Sequence, residues 1–274
     1  MAASALEAGA TIKIKGVTTF YHHAGSGKPV VMVHGSGPGV SAWANWRLIL
    51  PEVSQHFAAY APDIIGFGKT ERPATCAFTH DDRVNHLIHF IESISQSPVL
   101  MIGNSMGGAL TLAVADRRPD LVEKMVLMGS VGVSFPITQG LSEVWAYKPS
   151  VETMRRLIDL FAYNKALVTD ELAQLRYQAS IQPGYQESYE KAFPQPLQQH
   201  IEGMGIPEER IKKIQTPALV IHGREDPIIP LEVGLRIYKL LPNANMHIFG
   251  HCGHWTQIEK TADFNALVLR FFQS

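Results

Sequence analysis

The sequence predicts an α/β fold, a mostly parallel, twisted sheet flanked by helices, with a helical segment inserted in its second half. Three observations predict it. Short apolar runs alternate with stretches of helical spacing from residue 29 to residue 128, the pattern of βαβ crossovers. Between residues 135 and 205 the strand signals stop, and a Gln-, Tyr-, Trp- and Glu-rich helical stretch takes over. A buried-type strand then returns at residues 217–222. The expected organisation is a core at 1–134, a helical cap at 135–205 and the rest of the core at 206–274.

Element by element, residues 11–22 alternate Ile12, Ile14 and Val17 with polar side chains about a turn at Gly16, which reads as a hairpin. Residues 29–33 form an apolar run ending in a glycine-rich turn. A helix is expected from Asn45 past Leu50 toward His56, and a strand at 58–61. Val84, Leu87, Ile88 and Ile91 mark a helix over 83–94, with His86, His89 and Asp82 on its solvated face. A strand at 98–102 leads into a small-residue helix at 107–115, and a further strand follows at 124–128. Beyond the insertion come a helix at 231–240, a strand at 245–249 and a terminal helix at 261–272.

Bulk properties narrow the function. A chain of 274 residues is long enough for one large domain with a modest insertion. Its net charge of −1 leaves no basic face for nucleic acid or an anionic membrane surface. No window approaches the length of a membrane span, and residues 1–10 lack the basic and apolar regions of a secretory signal. Cys76 and Cys252 make no disulfide framework, which fits a reduced, cytoplasmic setting. There is no internal repeat and no low-complexity stretch.

Gly103-Asn104-Ser105-Met106-Gly107 fits G-x-S-x-G. The bare pattern arises by chance in roughly one chain in ten of this length, and a structural serine in a turn is its ordinary explanation. Here an apolar strand precedes it and an Ala/Leu helix follows, the setting of a strained elbow that lifts the serine hydroxyl above the sheet. A serine hydroxyl needs a base, and the base an orienting carboxylate, in the chain order serine, acid, histidine. Asp226 and His254 follow strands in that order, with Glu225 and His251 as their adjacent rivals. Asp226 is otherwise a turn aspartate before Pro227, and His254 a loop histidine. His251, Cys252 and His254 lack a complementary ligand pair for a metal. The loop His34-Gly35-Ser36-Gly37-Pro38-Gly39 fails as a nucleotide loop, having the wrong spacing and an internal proline. In a hydrolase such a loop offers N–H groups to an oxyanion, and the candidates are Ser36 and Met106.

With these segments in place, the chain resembles the meta-cleavage product hydrolases of the α/β-hydrolase superfamily, most of all those acting on 2-hydroxymuconic semialdehyde and its monoalkyl relatives. The resemblance rests on H-G-S-G-P-G-V-S-A-W-A-N-W-R (34–47), A-P-D-I-I-G-F-G (61–68), G-N-S-M-G-G, H-G-R-E-D and C-G-H-W-T-Q-I-E (252–259), with further likeness at 161–183. It implies a cofactor-free and metal-free cleavage of the C5–C6 bond of 2-hydroxy-6-oxo-hexa-2,4-dienoates, after conversion of the dienol to a keto tautomer. The products are 2-hydroxypenta-2,4-dienoate and a carboxylic acid. It also implies a homo-oligomer, with Ser105, Asp226 and His254 as triad. Asn45, Asn104, Phe161, Arg176 and Trp255 would bind the substrate. One departure is visible: His251 stands where relatives often carry a longer polar or basic side chain.

Arg176 is also legible without the resemblance. Thr169 caps a helix in which Leu172, Leu175, Arg176 and Ala179 share a face. A guanidinium on an apolar face calls for an anion, either a substrate carboxylate or a protein one. Val131 and Ile229 beyond core strands, with Leu141, Trp145 and Ile201 of the cap, are expected to form a distal pocket that favours hydrogen or small alkyl groups at C6. Two other functions fit the same triad and fold. A carboxylesterase would turn over aryl esters and leave dienoates alone; a ligand receptor would bind without turnover.

Overall fold

The computed structural model describes residues 7–274. Residues 1–6, part of the segment read for a secretory signal, lie outside the described residues. Strands β1 (Ala10–Ile14) and β2 (Val17–Ala24) pair antiparallel across Lys15 and Gly16, at φ 47° and 91°. Two successive positive φ values suit the right-handed twist of a hairpin, and Gly16 reaches its value without a Cβ clash.

The remaining strands are β3 (Pro29–Val33), β4 (Ala58–Pro62), β5 (Val99–Asn104), β6 (Val122–Met128), β7 (Ala218–Gly223) and β8 (Ala244–Phe249). Among the described residues they form one sheet in the order β1-β2-β4-β3-β5-β6-β7-β8. Every pair from β4 onward along that order is parallel. All side chains of β5 and β7 are buried, which explains their unbroken apolar character: both faces of a parallel sheet are covered.

Helices α1 (Ala42–Trp46) and α2 (Leu50–Val53) stand where one helix from Asn45 was expected. The start is earlier because the Ser41 side chain accepts from the Ala44 N–H. Helix α3 (His80–Ile94) begins at a capping box between Thr79 and Asp82, three residues before the expected start. The placing of His86 on a solvated face is corrected. His86 is buried, and its Nε2 lies 2.8 Å from Thr19 Oγ1 in the hairpin that packs on this side. Burying Leu87 and Ile91 gains about 1.5–3 kcal/mol each, enough to carry down a neutral imidazole that keeps one hydrogen bond. His89, by contrast, is half-exposed beside Glu92.

Helix α4 (Met106–Arg117) follows β5 directly. Between β6 and β7 lie α5 (Gln139–Trp145), α6 (Val151–Phe161), α7 (Asp170–Ser180), α8 (Tyr185–Ala192), α9 (Gln198–Met204) and α10 (Glu208–Ile211). Thr138, Ser150 and Thr169 cap α5, α6 and α7 through their hydroxyls. Leu141, Leu157, Phe161 and Ile201 from these helices join one continuous apolar cluster with Val31, Met101 and Leu127 of the sheet. The inserted helices therefore share a core with one face of the sheet. Helices α11 (Leu231–Leu240), α12 (Thr256–Glu259) and α13 (Thr261–Gln273) complete the chain.

Candidate active site

Strand β5 ends at Ser105, whose backbone stands at φ 55°, ψ −116° as the N-cap of α4. A non-glycine residue held there is strained, and the surroundings over-determine it. A Cβ on Gly103 would sit 2.3 Å from the Gly107 carbonyl oxygen, and one on Gly107 2.2 Å from that of Val33. Only glycines permit so tight a strand-to-helix turn, which is the physical content of the G-x-S-x-G spacing. The Ser105 carbonyl accepts from Gly108 and Ala109 N–H, and its N–H donates to Met128 O.

Asp226 and His254 come from the turns after β7 and β8. The Asp226 Oδ1 accepts the N–H groups of Ile228 (2.8 Å) and Ile229 (3.0 Å), and Oδ2 accepts from His254 Nδ1 at 2.7 Å. An ionised carboxylate only accepts, so Nδ1 carries the proton and Nε2 keeps a lone pair for use as a base. His254 and Ser105 line the same cavity. Glu225 is turned away, its carboxylate bound to Arg224 and the Cys252 N–H. His251 is exposed, lies 3.1 Å from the Tyr163 hydroxyl and does not line the cavity.

The loop after β3 is fixed by His34. The Ile64 N–H donates to His34 Nε2 at 2.9 Å, and Nδ1 donates to Gly35 O at 2.7 Å. Burial holds this imidazole's pKa below its ordinary value, in keeping with the neutral form these bonds require. Among the described residues no protein group accepts the Ser36 or Met106 N–H. The Ser36 hydroxyl accepts from Trp145 Nε1 at 3.0 Å. A serine on an elbow, a histidine oriented by a buried aspartate and two free N–H groups together suit serine-based acyl chemistry.

The cavity holds about 100 Å³. Asn45, Asn104, Phe161, Arg176 and Trp255 all line it. Phe161 stacks on Trp255 with ring centroids 5.1 Å apart, and its carbonyl accepts the His254 N–H, so the end of α6 is tied to the histidine loop. Glu259 strengthens that tie by accepting from both Gly253 and Asn164 N–H groups. Asn45 Nδ2 and Gln257 Oε1 are buried without a partner.

Arg176 is half-buried and forms no ion pair among the described residues, where its one hydrogen bond is to Pro38 O at 3.5 Å. Desolvation first, and then the nearby Arg47 cation, lower its pKa to about 10. Arg47 lines the same cavity, again without a carboxylate, and burial lowers its pKa as well. The sequence alone assigns Arg47 no role. The missed signal was an arginine two residues after Asn45 on a short, mostly apolar helix. Also missed were Gln257 and His222, whose buried ring donates from Nε2 to Ile229 O and backs the Asp226 turn.

The residues expected to form a distal pocket are placed differently with respect to this cavity. Leu141 lines the cavity, whereas Val131, Trp145, Ile201 and Ile229 are buried and do not. The Ile229 N–H is engaged with Asp226, and Val144 and Ile228 line the wall instead. On α7, Leu175 is 66% exposed, so the buried face runs through Leu172, Ala173 and Arg176.

Comparison with known proteins agrees with this architecture. The family model of the alpha/beta hydrolase fold matches residues 28–261. The chain is 49% identical to the 2-hydroxymuconate semialdehyde hydrolase of Pseudomonas sp. (strain CF600), over 96% of this chain and 93% of that protein. It is 47% identical to a 2-hydroxy-6-oxo-2,4-heptadienoate hydrolase of Pseudomonas putida, over 97% and 96%. The solved structure of a meta-cleavage product hydrolase from Pseudomonas fluorescens IP01, a serine-to-alanine variant with acetates, superposes with a TM-score of 0.95 at 49% identity, covering 97% of each chain. The chain belongs to the α/β-hydrolase family and, within it, to the meta-cleavage product hydrolases.

Proposed function

We propose that this enzyme hydrolyses the C5–C6 bond of 2-hydroxy-6-oxo-hexa-2,4-dienoates carrying hydrogen or a small alkyl group at C6. The observation that carries the reading is the pair Arg47 and Arg176, two cations without carboxylate partners in the cavity that Ser105 and His254 also line. Two partly desolvated guanidiniums are costly beside a neutral ester and favourable beside a dienoate carboxylate. Relatives named for such substrates support the same reading.

In this mechanism the dienol first gains a proton at C5 and loses its hydroxyl proton, giving the 2,6-dioxo tautomer. His254 then takes the Ser105 proton as the serine oxygen adds to C6. The N–H groups of Ser36 and Met106 receive the resulting oxyanion. When C5–C6 breaks, its electron pair flows through C3=C4 onto the C2 oxygen, where the arginines stabilise the growing negative charge. The dienolate takes the proton held by His254. Water then attacks the acyl-serine, with His254 accepting its proton and returning it to Ser105, and the carboxylic acid leaves. Residues 135–205 act as a cap that closes the cavity over the sheet, and the enzyme works as a cytoplasmic homo-oligomer without metal or cofactor. Free Cys76 and Cys252 are in keeping with a reducing compartment.

The test is a spectrophotometric panel of ring-cleavage products with hydrogen, methyl or phenyl at C6, run beside an aryl ester of similar size. The small cavity leads us to expect the hydrogen and methyl compounds to exceed phenyl by roughly ten- to two-hundredfold in kcat/KM. Ser105→Ala should lose C–C cleavage by several orders of magnitude and stay folded. Turnover of the ester alone would favour a carboxylesterase, and near-native activity of Ser105→Ala would remove the reading altogether.

A further inference from the structure

A second cavity, of about 360 Å³, opens between the start of α3 and the end of α8 and shares no lining residue with the active site. Its lining is unbalanced in charge. Arg83, Lys191, His80 and His200 contribute to it, and no Asp or Glu does.

Arg83 is 2% exposed, and its Nε and Nη2 are buried without a hydrogen-bond partner. The guanidinium lies over the rings of Phe67 and Phe193, at 5.2 and 5.5 Å. These faces return only part of what a buried cation loses in leaving water. The carboxylate next along the helix, Asp82, is occupied in capping Thr79. The Tyr189 hydroxyl donates to Val144 O. His80 Nδ1 is likewise unpartnered, and Lys191 donates only to the Ala74 carbonyl among the described residues. Phe78, beneath Lys191 at 5.4 Å, and Phe193 supply apolar walls.

We propose that this cavity is a second binding site, for a small carboxylate with a flat apolar body, held by Arg83 and Lys191. A carboxylate fork matches a guanidinium edge and would supply the acceptors that the buried nitrogens lack. A flat ring fits against the phenyl walls. Desolvation lowers the Arg83 pKa to about 10, which still leaves the cation in place near neutrality.

The probe is benzoate, titrated calorimetrically into the Arg47→Gln, Arg176→Gln double variant so that both active-site cations are removed. Saturable one-site binding is expected, with Kd on the order of 1 mM or tighter. Arg83→Met should weaken it roughly tenfold or more, and Lys191→Gln, at the exposed rim, roughly two- to fivefold. Benzamide, which keeps the ring and lacks the charge, should bind roughly tenfold more weakly than benzoate. Should Arg83→Met fail to fold, the Lys191→Gln and benzamide results decide. No saturation by roughly 20 mM, equal binding of benzamide, or binding unchanged in both variants overturns the proposal.

Discussion

Arg47 and Arg176 carry most of the specificity we assign to this enzyme, and the reason is electrostatic. Each is partly withdrawn from water, Arg47 further lowers the affinity of Arg176 for its proton, and no carboxylate of the described residues compensates them. A substrate carboxylate does so, and through charge-assisted hydrogen bonds worth about 1.5–3 kcal/mol. Arg176→Ala and Arg47→Ala should therefore each lower kcat/KM on a C6-methyl dienoate by roughly ten- to 150-fold. A neutral aryl ester should change less than about threefold, having no charge to lose. Equal losses on both substrates would make the arginines structural. Arg176 was legible in the sequence because a long capped helix gives its neighbours a face. Arg47 was not, because five helical residues are too few to show a period, and only the fold reveals that its guanidinium reaches the cavity.

At the level of single elements, what the sequence conveyed depended on how far neighbours in space override neighbours in sequence. Strands β5 and β7 announced themselves because both their faces are covered, and the Thr169 cap announced α7. Leu175 and His86 were misplaced for opposite reasons. Among the described residues Leu175 is left 66% exposed, whereas the β1–β2 hairpin covers His86. Helix periodicity tells which residues share a face, not what arrives from elsewhere to bury it. His86 also yields a pH prediction. Desolvation, with His89 adding to it, lowers its folded-state pKa from 6.5 to about 4. A depressed histidine pKa means that the unfolded chain binds the proton more readily. The stability this neutral histidine supports is complete above pH 6.5 and declines as pH falls toward about 4. Across that window the unfolding free energy of the native protein should fall faster than that of His86→Gln, by up to about 1.4 kcal/mol per pH unit. Parallel denaturation curves for the two proteins between those pH values would show that His86 is not the group responsible.

Across the whole molecule, the inserted helices do more than line the cavity, because one of their side chains reaches the loop after β3. Trp145, at the end of α5, stacks on Phe193 of the same insertion with ring centroids 4.9 Å apart, and its Nε1 donates to Ser36 Oγ. Ser36 in turn offers one of the two N–H groups we assign to the oxyanion. The expected role for Trp145 was bulk in a distal pocket; its position makes it a strut between the insertion and the sheet. Removing the indole N–H while keeping a ring tests this. In Trp145→Phe the stacking surface is largely retained, but the buried Ser36 hydroxyl loses its donor, a change worth about 1–3 kcal/mol. Displacement of the Ser36 N–H would be felt where charge develops at C6 and not at the carboxylate end near the arginines. We therefore expect kcat to fall roughly five- to hundredfold with KM changed less than about twofold, the sign of an interaction made in the transition state. Ser36→Ala removes the same hydrogen bond from the other side and should give a similar loss. The double variant should be no worse than either single one, since both changes break one contact. Additive losses would mean that Trp145 and Ser36 act independently, and an unchanged kcat in Trp145→Phe would reduce the strut to a packing contact.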